Sequence, residues 1–102
     1  MAHPVIAGSF VLNRHFNDAA QGKADAYFEL GLAFAAGSDG AEVDFVQAHK
    51  WFNLAALSGD DRGQQCRSDL AGEMSARDIA EAQRQAQRQA RAWMLHIGQR
   101  AA

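Results

Sequence analysis

A chain of 102 residues is long enough to bury one core and too short for two, so a single domain is expected. With 48% hydrophobic residues it can build that core, yet no apolar run approaches the roughly 20 residues that would span a bilayer. The net charge of −2 argues against a chain built to coat nucleic-acid phosphates. That charge is unevenly placed. Residues 1–75 carry 5 Lys/Arg and 10 Asp/Glu, whereas residues 76–102 carry 5 and 2, so the body is acidic and the end basic. The asymmetry points to a charged partner surface or to electrostatic docking of the last helix on the body. A single cysteine, Cys66, excludes an intrachain disulfide and fits a reducing compartment. Met1 to Phe10 has neither a basic start nor a long apolar stretch, so no signal peptide is expected and a cytoplasmic protein is the default.

In chain order, Phe10 to Gln21 reads as a degenerate helix, because Ala19-Ala20-Gln21-Gly22 resembles the ending Ala55-Ala56-Leu57-Ser58-Gly59 with one residue missing. The next helix runs from about Lys23 to Ala36, with Tyr27, Leu30, Gly31 and Phe34 on one face at helical spacing, and Gly37 ends it. After a loop to Val43, Asp44 and Gln47 form a capping-box pattern that opens a helix over Phe45–Ser58. Its inward face is Phe45, Ala48, Phe52, Ala55 and Ala56, flanked by Trp51, and Gly59 closes it. A third, weaker helix is expected between Asp61 and Gly72, capped by Asp60, with Cys66 and Leu70 inward and Gly63 interrupting it. The last helix, about Ala76 to Ile97, has a capping box in Ser75 and Asp78, a hydrophobic staple in Met74 and Ile79, and a stop in Gly98. Ile79, Ala82, Ala86, Ala90, Trp93 and Ile97 form its single apolar stripe.

The pattern Ala24-x-Ala26-x-x-x-Leu30-Gly31-x-x-Phe34-x-x-Gly37, then Gly40-x-x-Val43-Asp44, then Ala48-x-x-Trp51-Phe52-x-x-Ala55-Ala56-x-x-Gly59 resembles one Sel1-like repeat. That family is related to tetratricopeptide repeats. The resemblance covers about a third of the chain. It implies an all-α fold of antiparallel helix hairpins in a short superhelix, and a non-catalytic module that holds another protein. The chain would then be one Sel1-like domain over 1–102: a remnant helix over 1–22, the full repeat over 23–59, a short helix over 60–74 and a long capping helix over 75–98. Two departures stand out: Gln47 occupies a position where the family commonly has Lys, and the chain lacks the many cysteines of secreted members. Repeat arrays usually need about three units to bury their faces. Here either the last helix caps the exposed face or two chains pair through Trp93 and Ile97. A monomer is favoured, since the internal solution loses no association entropy, and a homodimer is the alternative.

Side chains that could carry chemistry are scattered. His3, His15, His49 and His96 lack the spacing that puts two metal ligands on one helix face, and His49 beside Lys50 reads as a surface or half-buried residue. Cys66 could be activated by Arg62 and Arg67, but it has no neighbouring histidine in sequence and reads as a small core residue. Asp60-Asp61 reads as a helix start. Neither a cofactor nor a metal is expected, nor is an enzyme.

Two surfaces could bind. The resemblance implies that the first helix of the pair lines a groove, and its free side carries Asp25, Phe28, Leu32 and Ala35 with Glu29 alongside. Phe28 and Leu32 would anchor an apolar peptide, and the carboxylates would prefer a basic one. The alternative is that both side chains pack on the N-terminal or the last helix. The other surface is the last helix's face of Arg77, Arg84, Arg88 and Arg91, with only Glu81 near enough to pair. It could meet phosphates or an acidic protein, or it could be a solvated face rich in helix formers. Nucleic acid is the less favoured partner there, because no aromatics interleave the arginines.

Overall fold

The computed structural model describes the backbone of residues 4–101 and the side chains of residues 10–93. Five helices follow one another: α1 Pro4–Ala20, α2 Ala24–Ala36, α3 Phe45–Leu57, α4 Asp61–Ala71 and α5 Ala76–Ala101. Among the described residues there is no strand, and the expected all-α class is what the chain adopts. None of these helices is long and apolar enough to cross a membrane. Helix α3 is the centre, with α2, α4 and α5 packed along it, while α1 packs on α2.

Side-chain caps, each worth about 1 kcal/mol, open α3, α4 and α5, whereas α2 starts after Lys23 without one. Asp44 accepts from the Gln47 amide at 3.1 Å, Asp60 from the Arg62 amide at 3.0 Å, and Ser75 Oγ from the Asp78 amide at 3.1 Å. The expected reciprocal half of the first box does not form. The Asp44 amide already donates to the Phe34 carbonyl at 2.9 Å, so the Gln47 side chain turns away and donates to Gln85 Oε1 at 3.1 Å, tying α3 to α5. Gly37 ends α2 at φ 70°, and the amides of Gly37 and Ser38 both reach the Ala33 carbonyl. Gly98 does not stop α5, which runs on to Ala101. A glycine inside a helix costs only about 1 kcal/mol, and no proline follows it.

The turns after α1 and after α3 are the same turn. Gln21, Gly22 and Lys23 donate to Asn17, Asp18 and Ala19 in the pattern with which Ser58, Gly59 and Asp60 donate to Leu54, Ala55 and Ala56. Gly22 and Gly59 hold φ 82° and φ 92°, the left-handed conformation glycine adopts without strain. The bonds place Gly22 on Gly59 and Ala19 on Ala56, so the two endings align with no residue missing. Asp25 and Arg62, which take the same place after each turn, are 37 positions apart and bonded to each other.

Close helix approach rests on two glycines. A Cβ on Gly31 would run into the Phe52 ring. At Gly63 a Cβ would lie 2.7 Å from Ala55 Cβ and 2.8 Å from the Phe52 carbonyl oxygen. Gly63 therefore does not interrupt α4; it is what lets α4 lie against α3. On the other side of α3 the aromatics gather. Trp93 of α5 stacks on Tyr27 at 5.1 Å and lies 6.0 Å from Trp51, which also meets the Phe16 edge at 5.8 Å. Trp51 belongs to the core rather than its flank, at 3% exposure. Ala82 and Ala86 of α5 are fully buried, while Ile79, Ala90 and Trp93 of the same stripe are half-buried. Ile97, His3 and His96 lie outside the residues whose side chains are described.

His49 also departs from expectation, since it is buried. Burial, helped by the Arg67 charge, pulls its pKa below the ordinary 6.5, and its Nδ1 has no hydrogen-bond partner. A neutral imidazole is the form this environment selects.

Candidate partner-binding groove

The free side of α2 does not present its five expected residues to one surface. Phe28 is half-buried: its ring meets Phe52 at 5.9 Å and sits under the Arg62 guanidinium at 4.2 Å. It is therefore not an open anchor. Arg62 is fixed there by Asp60 at 2.8 Å and Asp25 at 3.1 Å. The guanidinium is itself exposed, as is Asp25, whereas Asp60 is half-buried, so the bonds order the guanidinium more than they add stability. The hydrogen bond and charge of Arg62 hold the Asp60 carboxyl below its usual range.

Asp25 and Glu29 face a different hollow. Together with Arg14, His15, Asp18 and Lys23 they border a broad opening of about 700 Å³ between α1 and α2. Within it Lys23 pairs with Asp18 at 3.3 Å, and His15 Nε2 lies 3.2 Å from Asp39.

Leu32 and Ala35 remain, and α4 supplies the opposite wall. Leu32 and Ala35 from α2, Cys66, Asp69 and Leu70 from α4, and Glu73 just beyond it enclose a cleft of about 250 Å³ floored by Phe52. Leu32 is 38% exposed and Ala35 half-buried, whereas Leu70 and Phe52 are buried. The cleft is thus an apolar trough with two carboxylates on one lip. Asp69, Leu70 and Glu73 escaped the reading of α2 as the groove wall. They were legible as one face of α4, because 66, 69, 70 and 73 follow helical spacing.

The trough favours binding over thiol chemistry. Burial pushes the Cys66 thiol up, the Asp69 and Asp60 carboxylates push it further, and Arg62 only partly opposes them. The expected activation by arginines is absent, since Arg62 is engaged by aspartates and Arg67 donates to Asn53. A protonated thiol is a poor nucleophile. Among the described residues no group of three or more His, Cys, Asp or Glu could hold a metal ion.

On α5 the arginine face is partly neutralised. Arg84 donates to Glu81 at 2.7 Å and Arg88 approaches it at 3.6 Å, while Arg77 and Arg91 are exposed to solvent. The Gln85 and Arg84 hydrogen bonds hold the Glu81 carboxyl below its usual range.

No protein-family model matches the chain, and no curated protein or solved structure matches it.

Proposed function

We propose that this protein is a non-catalytic interaction module, a scaffold or adaptor that holds a partner peptide in the trough between α2 and α4. The observation that carries the reading is the trough itself: an apolar floor of Phe52 and Leu70, an exposed Leu32, and Asp69 and Glu73 along one lip. A segment with an apolar anchor followed by lysine or arginine satisfies both features, since apolar burial supplies affinity and the charges set register. The Sel1-like reading supports the same assignment, and the matching turns at Gly22 and Gly59 favour a repeat origin. The protein works as a monomer in this account, its last helix serving as the cap, and the lone free Cys66 suits the cytoplasm.

The test is selection of peptides from a displayed random library, followed by binding to two variants. Selected peptides should combine an apolar anchor with basic residues, and Leu32→Glu or the pair Asp69→Lys, Glu73→Lys should weaken them at least about tenfold, one lost anchor or charge pair being worth about 1.4 kcal/mol or more. Peptides that bind both folded variants as well as the parent would remove the trough as the site. The second reading, an acidic partner or nucleic acid on the arginine face, is favoured by Arg77 and Arg91 but reduced by Glu81. It requires an affinity that falls steeply with salt.

A further inference from the structure

A second cleft lies on the other side of α3, where that helix meets α5. Lys50 of α3 and Gln85, Arg88, Gln89 and Ala92 of α5 line a space of about 280 Å³. Its polar lining consists of hydrogen-bond donors and amides. Lys50 is half-buried, its ammonium lying 4.6 Å from the Trp51 ring centre, which fixes where the charge sits. Among the described residues no carboxylate lies within ion-pair distance of Lys50, whereas Glu81 lies 3.6 Å from Arg88 and 2.7 Å from Arg84. Gln85 is oriented from both ends, accepting from Gln47 at 3.1 Å and donating to Glu81 at 3.1 Å. Two cations therefore share one small cleft, and among the described residues only Arg88 of the two has a carboxylate, Glu81, within 4 Å. The consequence is visible at Lys50: burial first and the Arg88 charge second lower its pKa from the ordinary value.

We propose that the Lys50, Arg88 and Gln89 cleft binds the phosphoryl group of a small soluble ligand. The guanidinium offers paired donors to two oxygens, the ammonium a point charge to the third, and the Gln89 amide a neutral donor at the edge. The space holds roughly nine waters at about 30 Å³ each, at the small end of ligand pockets, so it suits a phosphoryl head and not a large body. An anion seated there turns the repulsion between the two cations into two attractions. The site is separate from the α2–α4 trough, shares no residue with it, and stands or falls independently of the peptide reading.

The experiment is calorimetric titration of the full chain with inorganic pyrophosphate and with phosphoserine, at constant ionic strength, with acetate as the comparison anion. Saturable binding of both phosphoryl probes at one site is expected, with acetate weaker. Lys50→Met keeps the stem over Trp51 and removes the charge; Arg88→Gln removes the fork. Each should weaken binding about tenfold or more, the loss of one charge-assisted hydrogen bond, while Arg77→Gln, at the start of α5, should leave it within about twofold. Circular dichroism establishes that each variant is folded. Binding that is unsaturable, or that falls equally in Arg77→Gln, would overturn the proposal in favour of diffuse attraction to the arginine face. If single-stranded RNA bound tightly and indifferently to Lys50→Met, the cleft would likewise be excluded.

Discussion

The two flanks of α3 are built from similar devices and end differently. Toward α5, Trp51 meets Trp93 and Tyr27, and Ala82 and Ala86 reach zero exposure, so the middle of that flank is covered by the chain itself. Toward α4, Gly63 lets the two backbones approach, but the side chains α4 turns to the cleft are Cys66, Asp69 and Leu70, and Leu32 stays 38% exposed over it. The same central helix has its apolar face covered by aromatics and alanines toward α5, where the cleft that remains is polar, and keeps an apolar cleft where its neighbour supplies small and polar residues. Close packing of backbones and burial of side chains are separate achievements, and the gap between them is where the proposed partner would sit.

Substitutions should separate the two flanks by size of effect. Trp51→Ala empties the α5 flank and should lower the unfolding free energy by about 3–5 kcal/mol in a urea titration. A loss under about 1 kcal/mol would mean the aromatic cluster does not hold α5. At the close contact on the α4 flank, Ala55→Leu or Gly63→Val forces volume between α3 and α4 and should cost about 1–3 kcal/mol. An unchanged melting temperature would mean the two helices are not in contact there.

The pH response of His49 comes next. Burial and Arg67 hold its folded pKa below the ordinary 6.5, so the unfolded chain takes up the proton more readily than the folded one. The sign follows: stability is complete above about pH 6.5 and declines as pH falls below it, by at most about 2 kcal/mol at pH 5. His49→Leu should flatten that decline and, by removing the unpartnered Nδ1, leave neutral-pH stability unchanged or higher. A slope that persists in the variant would assign it to other groups. Smallest in stability, and largest in binding, is Leu32→Glu: an exposed position should change unfolding by under about 0.5 kcal/mol while peptide binding is lost.

Much of this was legible beforehand because it depends on local spacing. The caps Asp44, Asp60 and Ser75 and the end at Gly37 follow from residue type at a fixed offset and sit where that spacing puts them, and of the expected inward face of α3 Ala48, Phe52 and Ala55 are buried. What failed was decided between helices. Phe28 has the spacing of a free side, yet Arg62, far away in sequence, covers it. His49 has the polarity of a surface residue, yet it is buried beside the Arg67 charge. Gly63 has the propensity of a breaker, but the missing Cβ is required by the approach of α3. The α4 lip of the trough escaped because its partner wall was sought along one helix alone.

The most direct test of the contrast reads both flanks at once. In a spectrum of labelled alanine and leucine methyl groups, a display-selected peptide is titrated into the protein. Shifts at Leu32, Ala35 and Leu70 with Ala82 and Ala86 unmoved are predicted. Shifts confined to Ala82 and Ala86, with the trough methyls still, would contradict the account.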